Sequence, residues 1–265
     1  MSLPADYHMH TPLCRHATGE PTEYAAQAAR IGIPEIGFSE HAPMIRDDFD
    51  QWHMLLNDLD NYVAKVNQAR RDHPEITIRI ALEVDFIPGH EAWIRQIAAR
   101  HDWDYLIGAV HYLGDWNFDN PQTIPEWKRR DPDEVWKAYF ERMTQAAASG
   151  LFDIMAHPDL CKKFCFYPKG DLQPLVSSFL AAVKKSDIAI ELNTAGLRKD
   201  CREIYPGAPI VRLAAAMGIP ITFGSDAHAA PEVGMNFAEA VQSARNAGYT
   251  RSCRFARRKR ESVDF

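Results

Sequence analysis

The sequence predicts an α/β fold in which helices cover a parallel sheet, and two observations carry this prediction. Short apolar segments, rich in β-branched and aromatic residues, recur along the 265-residue chain. Each has the length and composition of a buried parallel strand. Helical patterns separate these segments in strict alternation. No Gly/Ser-rich linker or shift of composition divides the chain, so we expect residues 1–265 to form a single domain.

The predicted strands and helices follow from hydrophobic periodicity and from the residues at the ends of each segment. The predicted strands are residues 5–8, 35–40, 78–86, 104–111, 152–157, 188–193 and 220–226. The predicted helices are residues 21–31, 51–73, 91–101, 132–149, 172–184, 210–217 and 236–246. Between them, residues 112–131 form a long irregular stretch, which is typical of a functional loop.

Composition and charge exclude several classes of protein. No apolar run approaches the roughly 20 residues that a membrane span needs, and residues 1–10 lack the basic and apolar regions of a signal peptide. The five cysteines have no framework spacing, which predicts reduced thiols and a cytoplasmic protein. The net charge of -6 argues against nucleic-acid binding, and we expect the basic cluster at residues 251–260 to be a solvated edge.

Metal-ligand residue types stand at or just beyond the C-terminal ends of almost all predicted strands. They are His8, His10, His16, His41, Glu83, His111, His157, Asp226 and His228. The C-terminal strand ends are where barrel enzymes place their active sites. In His8-Met9-His10 the two imidazoles lie on the same side of an extended backbone. Imidazole and carboxylate ligands together predict a site for ions such as zinc or iron.

Other residues capable of chemistry are assigned plainer roles. Cys14 and Cys161 are expected to be small buried residues, because no base is paired with them. Asp85 and Asp159 either cap loops or hydrogen-bond to metal ligands. The remaining histidines are expected at the surface or at helix ends; they are His53, His73, His90 and His101.

Five short motifs lie in order along the chain. They are HMHTPLCRHA at residues 8–17, SEH at 39–41, GAVHY at 108–112, AHPD at 156–159 and GSDAH at 224–228. Over roughly residues 5–260 the sequence resembles the polymerase-and-histidinol-phosphatase (PHP) family. HTPLCRHA, GAVHYLG and the NTAGLR of residues 193–198 resemble more narrowly its monofunctional histidinol-phosphatase branch. Glu40 departs from the family pattern, since many members have Asp there.

The resemblance implies a distorted (β/α)7 TIM-like barrel that holds three divalent metal ions, zinc, iron or manganese. It also implies a ligand set for each ion. The first ion takes His8, His10, Glu83 and Asp226; the second takes Glu83, His111 and His157; the third takes His16, His41 and His228. In this scheme Glu83 bridges two ions, and the unusual Glu40 is not a required ligand.

The activity implied by the resemblance is hydrolysis of L-histidinol phosphate to L-histidinol and inorganic phosphate, a step of histidine biosynthesis. Metal ions lower the pKa of bound water to about 7, which would supply the attacking hydroxide. The expected catalytic residues are Glu83, Asp226 and His228; the last two, or a water, would protonate the leaving alkoxide. The expected substrate-binding residues are Arg198 as a bidentate clamp, Lys162 as a point charge, and His41.

Alternatives differ in the substrate or in the class of protein. A PHP-type phosphoesterase could instead act on a nucleotide or a phosphoprotein, although an oligonucleotide would need a basic track that the sequence lacks. An amidohydrolase would place a bridging Lys after the fourth strand, where His111 stands. A non-catalytic scaffold would have lost some of the metal-ligand residues, and none is missing here.

The amine and imidazole of the substrate would be recognised by acidic and aromatic loop residues, namely Asp47, Asp48, Asp115, Trp116 and Asp119. The sequence does not indicate the oligomeric state.

Overall fold

In the computed structural model, which describes residues 3–265, a six-stranded parallel sheet curls into a barrel wall. Its strands and those of two small hairpins are β1 (Glu35–His41), β2 (Thr77–Asp85), β3 (Tyr105–Ala109), β4 (Tyr112–Leu113), β5 (Trp116–Asn117), β6 (Ile154–Met155), β7 (Ala189–Asn193), β8 (Ile221–Gly224), β9 (Arg251–Ala256) and β10 (Lys259–Asp264). The α-helices of the described residues are α1 (Pro21–Ile31), α2 (Leu59–Asp72), α3 (Glu91–Ala98), α4 (Ile124–Trp127), α5 (Pro132–Ala148), α6 (Gln173–Lys185), α7 (Ala208–Ala216) and α8 (Phe237–Asn246).

The seventh member of the barrel is the N-terminal segment, residues 5–10. The sheet order is β1-β2-β3-β6-β7-β8, with every pair parallel. Asp6 forms parallel bridges to both edges of this sheet, at Ile36 of β1 and Phe223 of β8. Met9 adds a bridge to Ala227. These bridges close the sheet on itself, and a long helix follows each of the seven members, which confirms the (β/α)7 barrel.

Helices cover the outer face of the sheet and bury their apolar sides against it. Tyr62 and Val66 of α2 and Phe140 of α5 are fully buried. Burial of each such side chain contributes about 1.5–3 kcal/mol. Among the helices of residues 3–265, none is long and apolar enough to cross a bilayer.

Two segments differ from the prediction. The second helix begins at Leu59 rather than at residue 51, because residues 50–53 are held in a loop. The carboxylate of Asp50 accepts from the amides of Trp52 and His53, and Arg15 donates to the carbonyl of His53. The long stretch 112–131 is not irregular throughout, since it contains the β4–β5 hairpin and α4. Its Trp116 packs edge-on against Trp127, with ring centroids 5.1 Å apart, so this stretch is anchored to the core.

A C-terminal hairpin that the sequence did not predict closes the N-terminal end of the barrel. Strands β9 and β10 pair antiparallel, and Phe255 of β9 packs against Tyr7 and Tyr105 from the barrel wall. The basic cluster lies on this hairpin, and its basic residues other than Arg254 are exposed, in agreement with the expected solvated edge. Three of its arginines also pair with acidic residues near the strand starts: Arg254 with Glu35, Arg258 with Asp153 and Arg260 with Asp187.

Candidate metal and phosphate site

The structure brings all nine ligand-type side chains together at the C-terminal face of the barrel. His8 and His10 belong to the N-terminal segment and are fully buried. The others line one cleft of about 560 Å³; they are His16, His41, Glu83, His111, His157, Asp226 and His228. Convergence of parallel strand ends is the physical reason that residues so far apart in sequence meet here.

The carboxylate of Glu83 is the centre of this arrangement. Its oxygens lie 2.8 Å from Nε2 of His157, 3.0 Å from Nδ1 of His41 and 3.3 Å from Nε2 of His8. Nε2 of His111 and of His10 follow at 3.6 and 3.7 Å. Burial alone would raise the pKa of Glu83, but the surrounding imidazoles hold it well below its usual range. The side chain is therefore a charged carboxylate within reach of two groups of imidazoles.

Asp226 extends the site on the side of the N-terminal segment. Its Oδ1 lies 3.3 Å from Nε2 of His10 and 3.9 Å from Nε2 of His8. The amide of Asn193 donates to Oδ2 at 3.3 Å. The backbone of Asp226 has φ 52°, a left-handed conformation that non-glycine residues seldom adopt. Such strain is typical of functional positions, and here it turns the carboxylate toward the histidines.

Three of the imidazoles are oriented by carboxylates on the side away from Glu83. Nδ1 of His8 lies 2.7 Å from Glu191, Nδ1 of His10 lies 3.2 Å from Glu40, and Nδ1 of His111 lies 3.1 Å from Asp85. Because a carboxylate only accepts, each Nδ1 carries a hydrogen, and each ring in its neutral form presents the Nε2 lone pair to the cluster. This is the arrangement in which metal-binding histidines are usually held.

The approach of Glu191 to His8 depends on Gly224. A Cβ at residue 224 would lie 1.9 Å from Oε1 of Glu191 and 2.7 Å from Cβ of His8. Glycine is therefore required at the end of β8 for the carboxylate to reach the imidazole. The GSDAH motif supplies both this space and the ligand-type residues that follow it.

Buried polar atoms without hydrogen-bond partners test whether the cluster suits a metal. Four of them face one another: Nε2 of His8, Nε2 of His10, Nδ1 of His41 and Oε2 of Glu83. Leaving such atoms unsatisfied costs about 1–3 kcal/mol each. Ligand atoms also lie within 4.8 Å of one another in the sets His8–His10–Asp226, His8–Glu83–His157 and His10–His41–His228. The residues therefore fit divalent metal ions.

Cationic side chains line the open part of the same cleft. Arg198, Lys163 and Lys199 are among its lining residues. Nη2 of Arg198 donates to the carbonyls of Ser225 and Asp226 at 2.8 and 3.2 Å, while its Nη1 has no partner. Lys163 donates to Oδ2 of Asp119 at 2.8 Å. These positive groups beside the histidines make the cleft suitable for an anion.

Lys162, expected among the substrate-binding residues, is not part of this cleft. Its ammonium is buried and contacts Oδ2 of Asp159 and Oε2 of Glu203, each at 3.0 Å, and the carbonyl of Ile204 at 2.8 Å. These three bonds use all three of its N–H donors. The residue next to it, Lys163, points into the cleft instead, because the short helix at Leu160–Phe164 turns consecutive side chains in different directions.

Sequence reasoning missed some residues of the site. His53, expected at the surface, is buried and lines the cleft. Its two ring nitrogens face Asp50 and Asp85. Of the acidic and aromatic loop residues proposed for recognition, only Asp119 lines the cleft, and Trp116 lies in the core. Glu191 and Glu40 stand at strand ends, and this position could have predicted that they contact the neighbouring histidines. His53 lies in a loop and belongs to no motif, so nothing in the sequence indicated its place.

A closed barrel with histidines and carboxylates gathered at its C-terminal face is the architecture of a barrel enzyme with a metal-type site. The PHP domain family model matches residues 6–195, and the PHP-associated model matches residues 209–240. The chain belongs to the PHP domain family.

Relatives and solved structures agree with this assignment. The chain is 42% identical to a "Probable histidinol-phosphatase" of Deinococcus radiodurans over 96% of this chain and 97% of the relative. It is 28% identical to a "Histidinol-phosphatase" of Bacillus subtilis, over 86% of this chain and 95% of that one. The histidinol phosphate phosphatase of Lactococcus lactis, crystallised with zinc, L-histidinol and phosphate, superposes with TM-score 0.84 at 20% identity, covering 98% and 100%.

Proposed function

We propose that this protein hydrolyses L-histidinol phosphate to L-histidinol and inorganic phosphate with the help of divalent metal ions. The observation that carries the proposal is the carboxylate of Glu83, which lies within 4 Å of nitrogens from five histidines beside a cleft lined with cations. The full-length similarity to histidinol-phosphatases selects the substrate.

The residues assigned to the metals are the nine of the strand ends. His8, His10, Glu83 and Asp226 would hold one ion, Glu83, His111 and His157 a second, and His16, His41 and His228 a third. Zinc is compatible with these ligands, as are iron and manganese. Bound divalent ions neutralise charge on phosphate oxygens and lower the pKa of water to about 7.

The protein's own residues would bind the phosphate and the amine of the substrate. Nη1 of Arg198 is the unpaired donor beside the cluster, and Lys163 supplies a second positive charge. Charge-assisted hydrogen bonds to phosphate are roughly twice as strong as neutral ones. His41 lies at the base of the same cleft and is assigned a contact with the substrate as well as with metal. Asp119, partly exposed beside Lys163, is an acceptor for the substrate's amine.

Hydrolysis breaks the bond between phosphorus and the ester oxygen while a water oxygen bonds to phosphorus. The departing alkoxide requires a proton. Asp226, His228 or a water bound beside them would supply it, since both side chains line the cleft. His228 donates from Nδ1 to the backbone carbonyl of Asp226 at 3.1 Å, and Oδ1 of Asp226 lies 3.5 Å from the same nitrogen.

Phosphate release from purified protein tests the proposal. Histidinol phosphate, nucleotides, a phosphopeptide and an aryl phosphate would be compared at equal metal loading, with chelator-treated protein as the control. We expect the highest kcat/KM with histidinol phosphate and loss of activity in the chelated protein, restored by zinc or manganese. A higher kcat/KM with a nucleotide or phosphopeptide would favour the other phosphoesterase assignment.

A further inference from the structure

A buried chain of hydrogen bonds runs from the histidine–carboxylate cluster to the wall of the cleft through His53. Nδ1 of His111 lies 3.1 Å from Oδ2 of Asp85, and the same oxygen lies 2.8 Å from Nε2 of His53. Nδ1 of His53 lies 2.7 Å from Oδ2 of Asp50, which also accepts from the hydroxyl of Tyr112.

The direction of each bond in this chain follows from the chemistry of its members. Asp50 and Asp85 can only accept, so both ring nitrogens of His53 must donate. His53 is therefore an imidazolium between two carboxylates. The one proton of Tyr112 goes to Asp50, so the amide nitrogen of Asn117 donates to the tyrosine oxygen at 3.2 Å. Every bond then has a donor and an acceptor.

Among the three imidazoles oriented by a carboxylate, His111 differs in what lies behind that carboxylate. For His111 the carboxylate of Asp85 is held by a second imidazole, and that imidazole by a second carboxylate. Glu40, behind His10, is held by the hydroxyl and amide of Thr11, and Glu191, behind His8, by the amides of His157 and Asn193. Oδ1 of Asp85 accepts from the backbone amide of His111 at 2.9 Å, whereas its Oδ2 is held by a side chain from a distant loop.

The loop that carries His53 is itself attached to other ligand-bearing segments. The guanidinium of Arg15, next to His16 in sequence, donates to the carbonyls of His53 and Asp50 at 2.7 and 3.1 Å. The amide of Met54 donates to the carbonyl of His41 at 3.3 Å. Residues 50–54 therefore connect the segments of His16, His41 and His111.

We propose that His53 is a positioning residue that holds Asp85, and through it the Nε2 lone pair of His111, in the orientation needed to retain metal. This rests on the proposed metal-dependent function of the site. His53 does not itself direct a donor at the substrate, because both of its N–H groups are used by carboxylates. Residues that orient metal ligands typically change metal affinity by 10- to 100-fold when they are replaced.

Two substitutions separate the two contacts of His53. In His53→Gln the side-chain amide nitrogen takes the ε position, near that of Nε2, and can donate to Asp85. In His53→Asn it takes the δ position, near that of Nδ1, and can donate only to Asp50. The matched control is His101→Asn, since Nε2 of His101 contacts Asp60 at the surface at 3.1 Å.

The experiment measures zinc retained during equilibrium dialysis against a chelator, together with the Tm of the metal-free protein. We expect His53→Asn to weaken binding of one zinc by about 10- to 100-fold, and His53→Gln and His101→Asn to stay close to wild type. A merely structural role would make zinc loss follow the fall in the metal-free Tm for both His53 variants. That result, or full zinc retention in His53→Asn, would overturn the proposal.

Turnover of histidinol phosphate distinguishes this proposal from the proposed function. If wild-type protein retains zinc but releases no phosphate, the proposed substrate is wrong, while the zinc comparison still decides the role of His53. If turnover occurs, kcat should fall in His53→Asn more than in His53→Gln, with KM changing less, because the phosphate-binding cations are not touched.

Discussion

The Nε2 atoms of His16 and His228 lie 2.9 Å apart, and each ring is held from its other nitrogen by a backbone carbonyl. Nδ1 of His16 lies 2.9 Å from the carbonyl of Cys14, and Nδ1 of His228 lies 3.1 Å from that of Asp226. Carbonyls only accept, so both Nδ1 atoms carry hydrogen and two Nε2 lone pairs face each other in the neutral rings. Burial lowers the pKa of both residues, which keeps them neutral. A shared cation would turn this repulsion into attraction.

The facing Nε2 atoms of His16 and His228 predict that His16→Ala lowers the metal content of the protein without lowering the Tm of its metal-free form. We expect the variant to lose about one ion relative to wild type, since zinc sites usually need three or four protein ligands. The Tm of the metal-free protein should stay the same or rise, because the repulsion is removed. Metal analysis and thermal unfolding after chelation measure the two effects, and His101→Ala is the control. Unchanged metal content would show that His16 is not a ligand.

Removing the charge at the centre of the cluster should have the largest effect on activity. Glu83→Gln keeps the size of the side chain but leaves five imidazoles without their common carboxylate. Replacing residues that only orient ligands costs about 10- to 100-fold, so kcat should fall by more than this. Metal content should fall as well. The measurement is steady-state kinetics at saturating metal. A kcat of Glu83→Gln near the wild-type value would show that Glu83 does not bridge two ions.

Arg198 should affect substrate binding more than turnover. Arg198→Ala removes one charge-assisted hydrogen bond, which is worth about 1.5–3 kcal/mol, so KM should rise by roughly 10- to 150-fold at 1.36 kcal/mol per decade. Arg198→Lys should recover only part of the loss, because the planar fork becomes a point charge. If kcat/KM of Arg198→Ala stayed within twofold of wild type, Arg198 would not be a phosphate-binding residue.

Substitutions at the two neighbouring lysines should affect different properties, stability at Lys162 and substrate binding at Lys163. Lys162→Met leaves Asp159 and Glu203 without their buried partner, which should lower the free energy of unfolding by about 3–5 kcal/mol. Lys163→Met should instead raise KM and change stability little, because Lys163 lies at the cleft. Denaturant unfolding and kinetics on the same two variants provide the comparison. If Lys162→Met instead raised KM and left stability unchanged, Lys162 would have to contact the phosphate.

The C-terminal hairpin should matter for stability without affecting the chemistry. Phe255 fills the closed end of the barrel beside Tyr7 and Tyr105, so Phe255→Ala should cost about 3–5 kcal/mol of unfolding free energy. Well below the Tm, kcat/KM should be unchanged, because the active cleft lies at the opposite end. Tyr167→Ala, at an exposed aromatic residue, is the matched control. Equal stability of the two variants would show that the hairpin does not support the barrel.

The alternation of apolar segments and helices was enough to predict the barrel class, because buried parallel strands and amphipathic helices differ in length and period. The ends of the strands were less predictable. Only Ile154–Met155 of the predicted fifth strand pairs as a strand. The hairpin of β9 and β10 was not predicted at all. Its residues are basic and read as a surface, and their acidic partners Glu35, Asp153 and Asp187 are far away in sequence.

By itself the sequence determined which residues could bind metal and on which face they would lie, because strand order and the two-residue period set the direction of each side chain. Only the tertiary structure decided which of the other polar residues join them. His53 lies in the site and Lys162 lies outside it, and the sequence predicted neither position, because His53 lies in a loop and Lys162 in a very short helix. Their places depend on long-range partners, Asp85 for the first and Glu203 for the second. Such contacts exist only after the barrel has closed.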